Sequence, residues 1–431
     1  MRPCRAINRR NSWPSAIWLL ALMLVALPMS GCGGCSDDPA AEQAAKDAAD
    51  KKKMKEEAKK KKDEEKKKAD FDIGQPMIEP FRAENPSRSV KPGHWHAVSQ
   101  VMKTNNFDFV GEMDCELSLK PTDGHQVVPA ARIATSRPAA LTKGQQRYVE
   151  MPFFVPRTEP ARPWITTELR SRGGGSVIQS SGTPLEVMPP YQFYFLVLAR
   201  EPIRYRQALD RLDSIRGPII DGRYVYYKLV VPPAETQVAL PAHLLAWTSI
   251  AYVLWDDVDP TALQPDQQKA MLDWLHWGGQ LILSGPNTLS MLRGSFLAPY
   301  LPADDGGIRD ITADNLTMLS DTFTPKEGKR QRPLKPAKPW SGIQFTKTAD
   351  AEFVPKTGEL VVERNVGRGR IVATAFKLNT RAIQEWGGFD GFFNACLMRH
   401  PAREFISSND SLEASRFRWL NNAQLTFDAR L

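Results

Sequence analysis

A strand–helix–strand pattern over residues 250–286 constrains the fold of this chain more than any other feature. Ile250 to Trp255 is an unbroken apolar run, which is typical of a strand buried on both faces. Gly278 and Gly279 end the segment that follows, and Gln280 to Ser284 resumes as a second apolar run. The pattern predicts two parallel strands joined by a right-handed helical crossover.

The segment between the two strands has the signals of a helix. Pro265 suits the first helical position, and the carboxylate of Asp266 suits the positive end of the helix dipole. Met271, Trp274 and Leu275 then recur at helical spacing on one face. This face is predicted to pack on the sheet.

Residues 90–199 have a different pattern, with short runs of strand type separated by Gly and Pro. Phe107 to Leu119 alternates apolar and polar residues, with a break at Val110-Gly111 that suggests a bulge. Tyr148 to Val155 and Ser176 to Gln179 are further strand candidates. These runs predict a small immunoglobulin-like β-sandwich. Tyr191 to Ala199 is either its last strand or the first central strand of the next domain.

Ten residues around the predicted crossover resemble the class I glutamine amidotransferase-like domains. They are Leu263, Gln267, Ala270, Trp274, Gly278, Gly279, Leu281, Ile282, Ser284 and Gly285. The resemblance covers roughly residues 190–405 and implies a flavodoxin-like parallel α/β domain. Degenerate versions of this domain, paired with a β-sandwich behind a membrane anchor, occur in bacterial envelope proteins, including those of planctomycete-type bacteria.

The sequence departs from the active family at its catalytic positions. Leu283-Ser284-Gly285-Pro286 stands where an active member has a Gly-x-Cys-x-Gly turn. Lys377-Leu378-Asn379 stands where it has a His-x-Glu pair. Acyl transfer needs a nucleophile, a base and an orienting carboxylate within mutual reach. Ser284 is a poor nucleophile candidate and His276 a poor base, so we expect no enzymatic activity.

Three aspartates follow the first buried strand, and strand ends are where α/β sheets bind ligands. Asp256, Asp257 and Asp259 are therefore weak candidates for holding Mg²⁺ or Ca²⁺. The alternative is a solvated turn with helix-capping aspartates. Together with Ser284, Asp256 and Asp257 are the residues from which a strand-end pocket would be built. The overall expectation is no metal and no cofactor.

Two other motifs have a binding and a structural interpretation. His94 and His96 share one face of a strand, which is weak evidence for a metal site against a surface or turn role. The stretch Gly367-Arg-Gly-Arg370 resembles a phosphate-binding loop, but a hairpin turn with two exposed arginines is favoured.

The tryptophans and cysteines are interpreted mainly as core residues. One or two tryptophans could instead line a carbohydrate-binding groove; the candidates are Trp247, Trp255, Trp274, Trp277 and Trp386. Cys115 and Cys396 lie in different predicted domains, which favours two buried thiols over one disulfide.

The N-terminus has the features of a lipoprotein signal peptide. Four arginines precede the apolar run Ala16 to Leu27, which is shorter than the roughly twenty residues of a membrane span. Pro28-Met29-Ser30-Gly31-Cys32 then resembles a bacterial lipobox, with Met29 in place of the usual Leu. The resemblance implies cleavage before Cys32 and its lipidation. The alternatives are an uncleaved anchor or processing at Cys35.

Residues 32–70 are rich in Lys, Glu and Ala and nearly lack large apolar side chains, so they cannot form a core. They are predicted to be a tether, either a solvated single helix or a disordered linker. More than half of the net charge of +8 lies in the first 70 residues. The remainder has an ordinary charge balance, so no nucleic-acid partner is expected.

These features predict five segments: a signal peptide (1–31), the tether (32–70), a β-sandwich-like domain (71–190), an amidotransferase-like α/β domain (191–405, with an excursion at 303–338) and a C-terminal tail (406–431). The predicted function is a non-catalytic, lipid-anchored scaffold or binding protein of the bacterial cell envelope. Its partners would be the membrane, through Cys32, and an unidentified envelope protein. The alternative is a hydrolase or metal-dependent enzyme using the strand-end pocket.

Overall fold

The computed structural model describes residues 53–55, 69–79, 88–121, 133–157, 161–216, 226–232, 238–325, 332–400, 405–406 and 416–417. The chain divides into a unit of residues 1–68 and a unit of residues 69–431. In the first unit, residues 53–55 are helical. Cys32, the predicted signal peptide and nearly all of the predicted tether lie outside the described residues.

The second unit is a mixed structure with more strand than helix. Its strands are β1 (Phe71–Ile73), β2 (Met77–Glu79), β3 (Ser89–Val90), β4 (His94–Thr104), β5 (Phe109–Pro121), β6 (Ile133–Leu141), β7 (Gln146–Val155), β8 (Ala161–Ser171), β9 (Val177–Pro184), β10 (Glu186–Val187), β11 (Phe193–Ala199), β12 (Tyr227–Val230), β13 (Ile250–Asp256), β14 (Gln280–Leu283), β15 (Ala303–Ile311), β16 (Trp340–Lys347), β17 (Ala351–Phe353), β18 (Val361–Val366), β19 (Gly369–Thr374), β20 (Phe405–Ile406) and β21 (Arg416–Phe417). Its helices are α1 (Pro202–Leu209), α2 (Asp213–Arg216), α3 (Pro265–Trp277), α4 (Pro286–Leu292), α5 (Ala313–Phe323), α6 (Arg381–Gln384) and α7 (Phe389–Phe392). Within the described ranges, none of the helices has both the length and the apolar character needed to cross a bilayer.

Two four-stranded antiparallel sheets form the β-rich part. In one, β4 pairs with β1, β2 and β7; the other has the order β6-β5-β8-β9. The alternation predicted along β5 is confirmed, since Met113, Cys115 and Leu117 are buried while their neighbours are not. These side chains share one hydrophobic core with those of β4 and β7. The two sheets therefore face each other across that core.

The bulge expected at Val110-Gly111 is wrong, because the register of β5 with both neighbouring strands is continuous there. Gly111 instead allows a close approach of the neighbouring backbone. A Cβ atom at this position would lie 2.2 Å from the carbonyl oxygen of Arg170. The break in the pattern reflects packing between strands rather than an extra residue.

A seven-stranded sheet of order β12-β11-β13-β14-β19-β18-β17 forms the α/β part. Its first five strands are parallel, and β18 and β17 are antiparallel at one edge. Every residue of β11 and β13 is buried, as expected for central strands covered on both faces. Of the two interpretations of Tyr191 to Ala199, membership of the α/β sheet is therefore correct.

The predicted crossover is confirmed: β13 and β14 are parallel neighbours joined through α3. Trp274 is buried, and its indole N–H donates to the carbonyl of Ile250 at 2.8 Å. Gly278, at φ 127°, ends the helix. A Cβ on Gly279 would lie 2.3 Å from the indole of Trp274, so this glycine is needed for the close packing of the turn.

Residues within the predicted excursion form β15 and α5, and β15 pairs with β16 in a two-stranded antiparallel ribbon outside the seven-stranded sheet. Another antiparallel pair, β18 and β19, turns at Gly367, whose φ is +59°. The hairpin predicted there is confirmed, but the expected exposure of Arg370 is wrong. Arg370 is 3% exposed and pairs with Glu363 while donating to the carbonyls of Cys396 and Leu397.

Charged and polar groups join the β-rich part to the α/β sheet. The buried ammonium of Lys91 donates to the carbonyls of Pro190 and Gln192 and lies 3.7 Å from the centre of the Phe193 ring. The hydroxyl of Tyr194 donates to the carbonyl of Ser89 at 2.6 Å. Each of these contacts crosses between the two hydrophobic cores, so the cores belong to one compact unit.

Candidate functional site

The structure brings the predicted strand-end residues together. Asp256 is the last residue of β13, and Ser284 directly follows β14, the neighbouring parallel strand. Because parallel strands end at the same edge, the side chains of Ser284, Asp256 and Asp257 gather there. Tyr205 of α1, which sequence analysis did not identify, is the residue that links them.

Ser284 is fully buried and hydrogen-bonded. Its Oγ lies 2.7 Å from the hydroxyl of Tyr205 and accepts a hydrogen bond of 3.0 Å from the backbone N–H of Leu378. Burial raises the pKa of Tyr205 well above its usual range, so this hydroxyl stays protonated. Ser284 is therefore closed off from solvent by a tyrosine and by the segment after β19.

Asp256 is 1% exposed, and burial raises the pKa of its carboxyl to about 6, against the opposing effect of a hydrogen bond with Tyr205. One arrangement of protons is consistent with these contacts, and it leaves Asp256 Oδ1 without a hydrogen-bond partner among the described residues. Leu378 N–H donates to Ser284, Ser284 donates to Tyr205, and Tyr205 donates to Asp256. This direction gives each hydroxyl one donor and one acceptor role.

Asp257 adopts a left-handed backbone conformation, with φ +54°. Its carboxylate pairs with the ammonium of Lys377, and its backbone N–H donates to the hydroxyl of Thr288 at 2.9 Å. The stem of Lys377 lies over Gly285, where a Cβ would come within 2.6 Å of Lys377 Cγ. The lysine thus covers the second strand end and neutralises the acidic turn.

The interpretation of Asp259 as a helix-capping residue is confirmed. Its carboxylate accepts hydrogen bonds from the hydroxyl and the backbone N–H of Thr261, at 2.7 and 2.8 Å, and these bonds lower its pKa. Among the residues that the structure describes, no group of three or more His, Cys, Asp or Glu side chains could hold a metal ion.

The two histidines of the His94-Trp95-His96 stretch face the first strand of the α/β sheet. The ring of His94 packs edge-on against Phe193, and that of His96 against Tyr194. The surface or turn role expected for this stretch is wrong for His96, which is fully buried. Its Nε2 accepts the backbone N–H of Lys91 at 2.9 Å, and burial lowers its pKa to about 4.

The core interpretation holds for most of the remaining candidates. The structure buries the following tryptophans: Trp247, Trp255, Trp274 and Trp386. Trp277 is 54% exposed. Cys115 and Cys396 are buried free thiols, as predicted, and burial raises the pKa of each to about 12. His276 lies at the end of α3, away from the strand-end cluster. Its backbone carbonyl accepts a hydrogen bond from the backbone N–H of Arg368.

A cavity of about 320 Å³ lies between the β-rich part and the start of α3. Both carboxylate oxygens of Glu150, on β7, accept the backbone N–H of Ala242 at 3.0 Å. Burial raises the pKa of Glu150 to about 7, and the negative charge of nearby Glu79 adds to the effect. Glu79 is buried and accepts hydrogen bonds from Ser99 and Tyr148. No local pattern in the sequence distinguishes these acids from surface residues.

No model of a known protein family matches the chain, and no curated protein shows significant similarity to it. Solved structures give weak matches. The sporulation control protein Spo0M from Bacillus subtilis is 12% identical over 34% of this chain and 58% of that one, with a TM-score of 0.20. The Niemann-Pick type C2 protein of the Japanese carpenter ant is 15% identical over 28% of this chain and 94% of that one, also at 0.20. The DNA glycosylase AlkC of Pseudomonas fluorescens is 13% identical over 28% of this chain and 31% of that one, again at 0.20. At these TM-scores the similarities assign neither a fold nor a function.

Proposed function

We propose that this protein is a non-catalytic, lipid-anchored scaffold or binding protein of the bacterial cell envelope. The observation that supports its non-catalytic character is the closure of the strand ends. Ser284, Tyr205 and Asp256 are each at most 1% exposed and are hydrogen-bonded to one another or to the backbone. A substrate would have to displace Tyr205 to reach Ser284.

The finer fold assignment belongs to the same proposal. The two facing antiparallel sheets would be immunoglobulin-like, and the mostly parallel sheet would be a flavodoxin-like, degenerate amidotransferase domain. The parallel order β12-β11-β13-β14-β19 and the crossover through α3 support this. The β-sandwich would lie between the membrane tether and the α/β domain in the chain.

The membrane attachment rests on the lipobox at Ser30-Gly31-Cys32. Metabolic labelling with palmitate tests it directly. The wild-type chain is expected to incorporate label, and Cys32→Ala to lose it. Cys35→Ala is the matched control and should label normally. Undiminished labelling of Cys32→Ala, or loss of label in Cys35→Ala alone, contradicts the assignment of Cys32.

The binding function is tested by affinity capture from detergent-solubilised membranes, with the mature lipidated protein as bait. We expect a defined envelope protein to be retained by wild-type protein and by Ser284→Ala, provided that the variant remains folded. Glutaminase activity is measured on the same preparations and is expected to be undetectable. Ammonia release from glutamine that is lost in Ser284→Ala would replace the scaffold proposal by the enzymatic alternative.

A further inference from the structure

A second cavity, of about 400 Å³, lies between the end of α1 and the segment that contains α6 and α7. Ala208 and Leu212 line it from one side, and Trp386 and Phe389 from the other. These four residues are buried in the protein core, so they form an apolar wall of the cavity. Its volume falls in the range of ordinary small-molecule sites.

Some charged groups of this cavity have an ion pair or a hydrogen bond within the protein, and others have neither. Glu385 pairs with Arg381 at 2.6 Å, and Asp390 accepts the backbone N–H of Ser214 at 2.9 Å. Arg211 and Arg332 also line the cavity, and neither guanidinium has an ion pair or hydrogen bond with any residue that the structure describes. Two arginines without an ion pair therefore stand against one carboxylate without an ion pair, that of Asp390, which leaves an excess of one positive charge.

A donor without an acceptor lies in the same wall. The amide Nε2 of Gln384 is buried and has no hydrogen-bond partner among the described residues. A buried amide donor left unpaired costs about 1–3 kcal/mol, so the wall around Gln384 is not fully satisfied in this conformation. The indole N–H of Trp386, by contrast, is already donated to Thr324 Oγ1 at 2.8 Å.

From these groups we infer that the cavity binds a small organic anion that carries an apolar body. Its carboxylate or phosphate accepts hydrogen bonds from the guanidinium groups of Arg211 and Arg332, which suit planar, paired recognition of such oxygens. The apolar body packs against Trp386 and Phe389.

The cavity is built from the same two elements that close the strand ends. Tyr205, which bonds to Ser284, lies one helical turn before Ala208 on α1. Leu378, which donates to Ser284, begins the segment that leads to Gln384 and Trp386. A ligand in the cavity therefore bridges the two elements that cover Ser284. The inference does not depend on the lipid anchor or on the absence of catalysis.

Calorimetric titration of the purified full chain with three probes of similar shape tests the inference. Benzoate and phenyl phosphate carry the anion, and benzamide is the neutral counterpart. We expect at least one of the two anions to bind at least tenfold more tightly than benzamide. Which of them binds more tightly identifies the carboxylate or the phosphate as the preferred group. Equal affinity for all three, or no heat of binding up to 10 mM of either anion, overturns the inference.

Single variants then locate the binding site. Arg211→Gln and Arg332→Gln should each weaken binding of the preferred anion at least fivefold. Both side chains are exposed, so neither change should alter the melting temperature. Arg206→Gln is the matched control, because Arg206 is an exposed arginine of α1 outside the lining. An equal effect of Arg206→Gln, or none from the other two, would place binding elsewhere and overturn the inference.

Discussion

The hydroxyl oxygen of Tyr205 lies 2.7 Å from the Oγ of Ser284, across 79 residues of sequence. Both side chains are buried, and the contact joins helix α1 to the end of strand β14. In an active site the corresponding position would be open to substrate. Here the hydrogen bond between the two hydroxyls holds helix α1 against the edge of the sheet at the end of β14.

Ser284→Ala should therefore lower the free energy of unfolding by about 1–3 kcal/mol, because the backbone N–H of Leu378 and the hydroxyl of Tyr205 lose a buried partner. Chemical denaturation measures this. Ser290→Ala is the control, since Ser290 is exposed and bonded to Asp305. It should change stability by less than about 0.5 kcal/mol. Equal effects of both changes would contradict a structural role for Ser284.

Trp274→Ala should be more damaging. The change leaves a cavity against Trp247 and removes the hydrogen bond from the indole to the carbonyl of Ile250, and such truncations cost about 3–5 kcal/mol. That is a large part of the stability of a domain, so loss of cooperative unfolding is expected. Trp277→Ala, three residues along the same helix, removes an exposed ring and should leave the melting temperature nearly unchanged.

The ionisation of Glu150 should lower the stability as the pH rises from about 4.5 to 7, against the opposing effect of His96, whose pKa burial lowers to about 4. Burial raises the pKa of Glu150 from 4.5 to about 7, so the folded chain binds a proton there that the unfolded chain releases. Asp256 acts in the same direction, with a pKa raised to about 6. Two charged residues face Glu150. The negative charge of Glu79 raises the pKa of Glu150, and the positive charge of Arg137 lowers it.

Glu150→Gln should remove much of that pH dependence and raise the free energy of unfolding at pH 8 by about 1–3 kcal/mol. The glutamine oxygen can still accept the N–H of Ala242. Thermal unfolding from pH 4.5 to 8 measures both effects. An unchanged pH profile in the variant would mean that Glu150 is ionised throughout.

The tether should add nothing to the stability of the body. A chain beginning at Ala69 is expected to melt at the same temperature as one beginning at Cys32. One beginning at Gly74 should melt several degrees lower, because it loses β1 and the contacts of Phe71 with Phe107 and Phe109. Equal melting of all three chains would show that β1 does not contribute.

Elements with local sequence signals could be predicted. The buried strands, the Gly278-Gly279 stop and the apolar face of α3 depend on hydrophobic periodicity and backbone requirements, which a short window of sequence contains. The mixed α/β and β-rich class followed from them. The strand-end cluster was predicted in part, since Ser284 and Asp256 directly follow recognisable strands.

The remaining contacts depend on residues far apart in the chain. Tyr205 reaches Ser284 only because α1 folds back across the sheet edge. Lys91 and Arg370 are charged residues in turn-like sequence, so exposure was the natural expectation. Each is buried because backbone carbonyls 101 and 27 residues away accept its hydrogen bonds. Burial of such groups is decided by partners that a local pattern does not contain.

The buried ammonium of Lys91 has a consequence for where the chain can be divided. Its acceptors are carbonyls of Pro190 and Gln192, on either side of the boundary predicted between the β-sandwich-like and α/β domains. Separation of the chain between these two residues would leave the Lys91 ammonium with one of its two carbonyl acceptors and the ring of Phe193 without its cation. The burial of this charge therefore requires residues of both predicted domains. The structural unit is larger than either of its hydrophobic cores.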